Sequence, residues 1–146
     1  MNEASTILLV EDNPDDVELI QYAFDKAAIV NPLVVVTDGD DAVNYVSGSH
    51  SYADRDRYPQ PALILLDLKL PRRSGFEVLR FIRGHEATQH TPVVVLTSSN
   101  QREDIGRAYS GGANSYLVKP VSREGLLDMV KSIEAYWLKI NQVAGE

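Results

Sequence analysis

Residues 62–77 read ALILLDLKLPRRSGFE. Leu63–Leu66 is an unbroken apolar run, not an alternating one, which suits a strand buried on both faces. Asp67 ends the run. Ser74-Gly75-Phe76-Glu77 then has the spacing of a capping box that opens a helix. Four more runs share the character of the first: Ile7–Val10, Leu33–Val36, Val93–Leu96 and Tyr116–Val118. The stretches between them have helical period. Val17, Ile20, Phe24 and Ala27 fall at spacings of 3, 4 and 3, and Ala42, Val43 and Val46 mark a second helix. Val78, Leu79 and Ile82 mark a third, and Leu126, Val130, Ile133 and Trp137 a fifth. Asn13-Pro14-Asp15-Asp16 supplies a cap, a proline for the first helical position and two acids for the first turn. Asp38, Asn100 and Ser122 are the expected caps of the other three helices. Strand and helix alternate five times. The expected fold is therefore α/β, a doubly wound, five-stranded parallel sheet covered by helices on both faces.

The chain has 146 residues, enough for one domain with a sizeable core. It has no cysteine, which excludes disulfides, thiolate catalysis and iron–sulfur clusters. Asp and Glu number 21 against 14 Lys and Arg, a net charge of −7. That balance disfavours nucleic acid and anionic membranes as partners. No apolar run approaches membrane-spanning length and no signal peptide opens the chain, so a cytoplasmic location is expected. Residues 47–61, SGSHSYADRDRYPQP, have no period and are expected to form a solvated loop at the amino edge of the sheet.

The carboxyl ends of parallel strands share one edge, where α/β sheets bind ligands. Glu11 and Asp12 follow the first run, Asp67 the third, Thr97 the fourth and Lys119-Pro120 the fifth. Three carboxylates, a hydroxyl and an amine thus converge. Close carboxylates repel one another, and a divalent cation is their natural compensator. Oxygen donors without Cys or nearby His suit Mg²⁺ or Mn²⁺ rather than zinc. A cation and a lysine side by side suit an anionic guest such as phosphate, with one carboxylate as nucleophile forming an acyl phosphate.

Taken in order, ILLVEDNPDD, ALILLDLKLPRRSG, PVVVLTSS and YLVKPV resemble the signature regions of response-regulator receiver domains of two-component signalling. TDGDDA resembles the start of that family's second helix. The resemblance covers about residues 5–137 and implies a flavodoxin-like fold with strand order 2-1-3-4-5 and five helices. The long loop before the third strand and the segment SIEAYWLKIN are most similar to the small regulators of cyanobacterial phytochrome histidine kinases. Carried over residue by residue, the resemblance makes Asp67 the phosphoacceptor. Asp12 becomes a direct metal ligand, Glu11 a ligand acting through water, and Lys69 a donor of its backbone carbonyl. Lys119 becomes the phosphate-contacting lysine, with Pro120 suggesting a cis peptide beside it. Thr97 and Tyr116 become the switch pair. Ser99 occupies a position that influences the lifetime of the phosphoryl group.

The implied partner is a histidine kinase, and the narrower likeness implies a phytochrome. The implied output is another protein or a phosphotransfer protein, because residues 1–146 read as a single receiver domain with no output domain. A turnover enzyme is not expected. An aspartyl-phosphate hydrolase of the haloacid-dehalogenase class carries a second Asp where Lys69 stands, and a nucleotide or flavin module needs a glycine-rich loop where EDNPDD stands. A pseudo-receiver that only binds partners remains an alternative. Asp38, Asp40 and Asp41 are expected as helix-start charges, not a second metal site. Lys69, Arg72 and Arg73 form a basic cluster that is either a solvated face or a guide for a phosphorylated partner. His50, His85 and His90 are expected on the surface.

The last helix carries more apolar residues than a core stripe requires. Leu127 and Leu138 fall on one flank, Met129 and Tyr136 on the other. With Tyr109 and Tyr116 they form the expected interface of a homodimer built on the fourth helix, fifth strand and fifth helix.

Overall fold

The structure is a computed structural model and describes residues 1–142. Its elements run β1 Ile7–Val10, α1 Pro14–Lys26, β2 Leu33–Val36, α2 Gly39–Ser47, β3 Leu63–Leu66, α3 Gly75–Gly84, β4 Val93–Thr97, α4 Arg102–Ser110, β5 Ser115–Val118 and α5 Arg123–Ile133. The strands form one parallel sheet in the order β2-β1-β3-β4-β5. Pleating sends alternate residues to opposite faces. Leu8, Val10, Ile64, Leu66, Val93 and Val95 join Ala42, Tyr45, Val46, Val78, Leu79 and Ile82 beneath α2 and α3. Ile7, Leu9, Leu63, Leu65, Val94 and Leu96 join Ile20, Phe24, Leu126, Val130 and Ile133 beneath α1 and α5. The apolar runs lack alternation because both faces are covered. Full burial holds for β1, β3 and β4 alone. Most of β2 and β5 is only partly buried, because an edge strand has a neighbour on one side.

The helix starts follow the sequence signals with one exception. Asn13 caps α1 through Asp15 and Asp16 N–H, Asp38 caps α2, and Ser122 caps α5. Ser74 and Glu77 close a reciprocal capping box. Asn100 does not cap α4. The cap position is Gln101, whose own side chain makes no capping bond. Its N–H donates to Ser99 Oγ at 3.3 Å, and Ser99 Oγ donates to Asp104 Oδ2 at 2.6 Å.

Three further expectations are corrected. Leu138 does not lie on a flank of α5 but is buried in the core beneath α1 and α5, while Trp137 is only partly buried. The cause is a π-helical extension over Glu134–Ile140, whose wider turn makes Leu138, five residues after Ile133, the next inward side chain. Leu127 and Met129 pack against that core as well, so they are not free flanks.

Second, residues 47–61 are not simply solvated. A short 3₁₀ turn forms at His50–Tyr52. Tyr45, Tyr52 and Tyr58 meet edge to face, with ring centroids 5.0–6.2 Å apart. The Arg55 guanidinium donates to the carbonyls of Tyr45, Val46 and Tyr52, closing the end of α2. Third, no peptide bond is cis among the described residues, so Lys119–Pro120 is trans. The Lys119 backbone is held instead by its N–H donating to Thr97 O at 2.7 Å.

Tyr52 ties the loop to α2 by donating its hydroxyl to Asp41 Oδ2 at 2.8 Å. Burial first, then that bond, raises its pKa from the ordinary 10.0 to about 12. A folded-state value above the unfolded one means stability that is complete below pH 10 and lost as pH rises towards 12. Tyr52→Phe is therefore expected to cost about 1–2 kcal/mol in urea unfolding at neutral pH. The gap to the wild type should narrow between pH 10 and 12.

Candidate functional site at the carboxyl edge of the sheet

The parallel ladder continues one residue beyond three of the strands. Glu11 N–H donates to Val36 O at 3.0 Å, Asp67 N–H to Val10 O at 3.0 Å, and Lys119 N–H to Thr97 O at 2.7 Å. The backbones of three functional side chains are thus locked by the sheet itself. The loop after Asp67 is held by close approach. Gly75 N–H donates to Leu68 O at 2.8 Å, and a Cβ at Gly75 would collide with the Asp67 carbonyl. A Cβ at Gly39 would collide with the Arg73 backbone, and Gly39 N–H donates to Pro71 O at 3.1 Å. The turn of this loop places Arg72 at φ 71°, a left-handed conformation unusual for a side chain of that size.

Asp67 is nearly buried. Its Oδ1 accepts the N–H of Leu68 at 2.7 Å and of Lys69 at 3.4 Å. Its Oδ2 accepts from Lys119 Nζ at 3.2 Å. The same ammonium contacts Glu11 Oε1 and lies 2.9 Å from Asp16 Oδ2. Burial pushes the Glu11 carboxyl up to about 7, against the hydrogen bond from Lys119 and with the charge of Asp67. Burial alone would lower the Lys119 pKa, but its bonds to Glu11 and Asp16 and the charge of Asp67 outweigh it and raise it.

Glu11, Asp12 and Asp67 each offer a carboxylate oxygen, and these oxygens lie within 4.8 Å of one another. An all-oxygen donor set of this charge fits a hard divalent cation such as Mg²⁺ or Mn²⁺. Thr97 is fully buried, and its Oγ1 has no hydrogen-bond partner among the described residues. A buried hydroxyl left unpaired is costly unless a guest completes it. Tyr116 is half-buried and donates its hydroxyl to Ser99 O at 2.9 Å, two residues beyond Thr97.

The structure brings Glu11, Asp12, Asp67 and Lys119 together, sets Lys69 N–H against Asp67, and leaves Thr97 and Tyr116 on the adjoining β4 and β5. Sequence reading missed Asp16, although a signal was available: it stands one helical turn after Asp12, on the first turn of α1. Asp38 and Asp40 pair with Arg72 and Arg73, so the acidic start of α2 and the basic cluster largely answer each other. Among the described residues, Glu11, Asp12 and Asp67 are the one acidic or histidine group able to share a metal ion. His50 and His90 are exposed, and His85 stacks on Phe81.

Among curated proteins, FilR2 of Methanothrix harundinacea, a probable methanogenesis regulatory protein, is 42% identical over 139 residues, covering 95% of this chain and 87% of that protein. Response regulator Rcp1 of Synechocystis is 37% identical, covering 94% of this chain and 92% of Rcp1. The Mn²⁺-bound structure of Rcp1 aligns with a TM-score of 0.86 at 36% identity, over 95% of this chain and 98% of that one. The phosphorylated cyanobacterial phytochrome response regulator RcpA aligns with a TM-score of 0.89 at 37% identity, over 96% and 98%. Residues 7–131 match the model of the response regulator receiver domain. With strand order, acidic crevice and sequence in agreement, the chain belongs to the response regulator receiver domain family.

Proposed function

We propose that this chain is a phosphorylation switch in which Asp67 accepts a phosphoryl group from the phosphohistidine of a sensor histidine kinase. One observation carries the reading: Asp67 belongs to the acidic cluster and accepts from the Lys119 ammonium, while the adjoining strand β4 ends in a buried hydroxyl with no partner among the described residues. An oxygen of the Asp67 carboxylate attacks phosphorus, the P–N bond of the donor breaks, and the imidazole departs with a proton from solvent. The product is an acyl phosphate. Glu11, Asp12, Asp67 and the Lys69 carbonyl would hold the divalent cation, whose charge would offset that of the phosphoryl oxygens. Lys119 turns one N–H to the phosphoryl group, and Thr97 donates its hydroxyl. Catalysis is thus positioning and electrostatics, and the chain serves as a phosphoacceptor rather than a turnover enzyme. Similarity to the phytochrome response regulator RcpA supports a phytochrome as the kinase, and membership of the receiver family supports a cytoplasmic setting. No helix among the described residues is long and apolar enough to cross a membrane.

Asp67→Asn should abolish acyl-phosphate formation from acetyl phosphate with Mg²⁺, read by intact mass. Full labelling of that variant at another aspartate overturns the assignment. Asp12→Ala should fail through the metal, raising the Mg²⁺ dissociation constant by about tenfold or more.

The new dianion draws Thr97, and the loop that Thr97 opens carries Ser99 O, to which Tyr116 is bonded. The proposed switch moves Thr97 and Tyr116 together and alters the α4–β5–α5 face. Structures with and without a beryllofluoride adduct should differ in both rotamers. Unchanged side chains would rule the coupling out.

A second copy of this chain is the proposed occupant of that face. Tyr109 on α4 and Val118 on β5 are exposed, as are Tyr136 and Ile140 on the extension of α5, aromatic and apolar side chains of the kind interfaces favour. Sedimentation should give a dimer at tens of micromolar, weakened by Tyr136→Glu. A monomer in both phosphorylation states contradicts it.

A further inference from the structure

Asp16 is a partner of Lys119 that the phosphoacceptor reading leaves without a task. An ammonium has three N–H donors. Lys119 Nζ meets three carboxylates: Glu11, Asp16 at 2.9 Å and Asp67 at 3.2 Å. Glu11 and Asp67 both belong to the group whose oxygens converge on a cation position, and Asp16 does not. Asp67 is also the group that is modified. The contacts to Glu11 and Asp67 are therefore the two that must rearrange when a cation and a phosphoryl group occupy the crevice. The contact to Asp16 can persist through both events.

Asp16 is suited to be the constant partner. It sits in the first turn of α1, where its backbone N–H donates to Asn13 Oδ1 at 3.3 Å, after Pro14 has set the helix start. The Lys119 side chain is nearly buried but hangs on a flexible four-carbon stem. Without an anchor, an ammonium released by Glu11 has several rotamers open to it.

We propose that Asp16 is a positioning residue, holding the Lys119 ammonium over Asp67 while Glu11 serves the divalent cation, so that one N–H stays aimed at a phosphoryl oxygen. Asp16 touches neither the phosphoryl group nor the cation. It acts through Lys119, and the inference rests on the assignment of Asp67 as phosphoacceptor.

The test uses the full chain, acetyl phosphate at saturating Mg²⁺, and the initial rate of acyl-phosphate formation by intact mass. Wild type is measured first, and its failure to label Asp67 would sink the phosphoacceptor reading itself. Given labelling, Asp16→Asn should slow it about tenfold. Its Mg²⁺ dissociation constant, from a separate titration, should stay within about twofold, since Asp16 lies outside the converging group. Asp16→Glu should recover part of the rate. In a Lys119→Ala background, read at high acetyl phosphate, Asp16→Asn should cost nothing further, as expected for two residues acting as a unit. Three results would overturn the inference: an unchanged or faster rate in Asp16→Asn, a rate loss matched by an equal loss of Mg²⁺ affinity, or the same fold-loss in both backgrounds. A faster rate would mean that Asp16 repels the anionic donor instead of steadying the lysine.

Discussion

The Lys119 ammonium faces Glu11, Asp16 and Asp67 at once, with Asp12 a short distance further on. Four carboxylates at one sheet edge repel each other, and this single cation is what offsets them in the free protein. Its reach is structural as well as electrostatic. In the sheet β5 pairs only with β4. Through Lys119, the end of β5 also grips β3, β1 and α1, whose partner residues lie 52 to 108 positions away in the chain. A substitution there loosens the carboxyl edge as a whole, not one contact within it.

The two edges of the sheet treat polar groups differently. At the amino edge most demands are met, with Gln60 Oε1 the exception among the described residues. Arg83 donates to the carbonyls of Gly112, Thr88, Gln89 and Thr91 and to Asn114 Oδ1, joining α3, the turn before β4 and the turn before β5. Asn114 Oδ1 also accepts Val93 N–H, and Asn31 closes on the N-terminal segment. At the carboxyl edge, Glu11 is buried with its acidity suppressed and Thr97 keeps an unpaired hydroxyl. Local departures from polar satisfaction are expected where a protein reserves groups for a guest.

How much of this was legible in the sequence follows from the range of each interaction. The first three strands match their apolar runs residue for residue, because burial on both faces leaves a local signature. Asn13, Asp38, Ser74 and Ser122 were legible as caps because capping is a local hydrogen bond. The strand-end residues were legible because a parallel sheet sends every carboxyl end to one edge. What escaped depended on register or on tertiary partners. One extra residue per turn after Ile133 moved Leu138 inward, and nothing in helical periodicity announces a π turn. The tyrosines at 45, 52 and 58 are irregularly spaced, and only the folded loop stacks them. Asp16 read as a helix-start acid, its interaction with Lys119 spanning 103 positions. At α4 the start is set without a side-chain cap, by Ser99 Oγ bonding Gln101 N–H and Asp104, ties that local spacing does not announce.

That last arrangement bears on how the crevice can communicate with the rest of the surface. Thr97 ends β4, and Ser99 follows two residues later with three ties: its hydroxyl to Asp104 and Gln101, its carbonyl to Tyr116. The loop is therefore a short lever joining the crevice, the start of α4 and the aromatic ring on β5. The helix it moves is weakly anchored. Ala108 is the one buried residue of α4, whereas α2 and α3 bury four or more each. An element with so little buried apolar surface is the least costly to displace. Tyr109 is exposed on that same helix, and Tyr116 is the second residue of the neighbouring strand. A pull on the Thr97 hydroxyl is thus delivered to the element that resists least and that carries exposed aromatic surface.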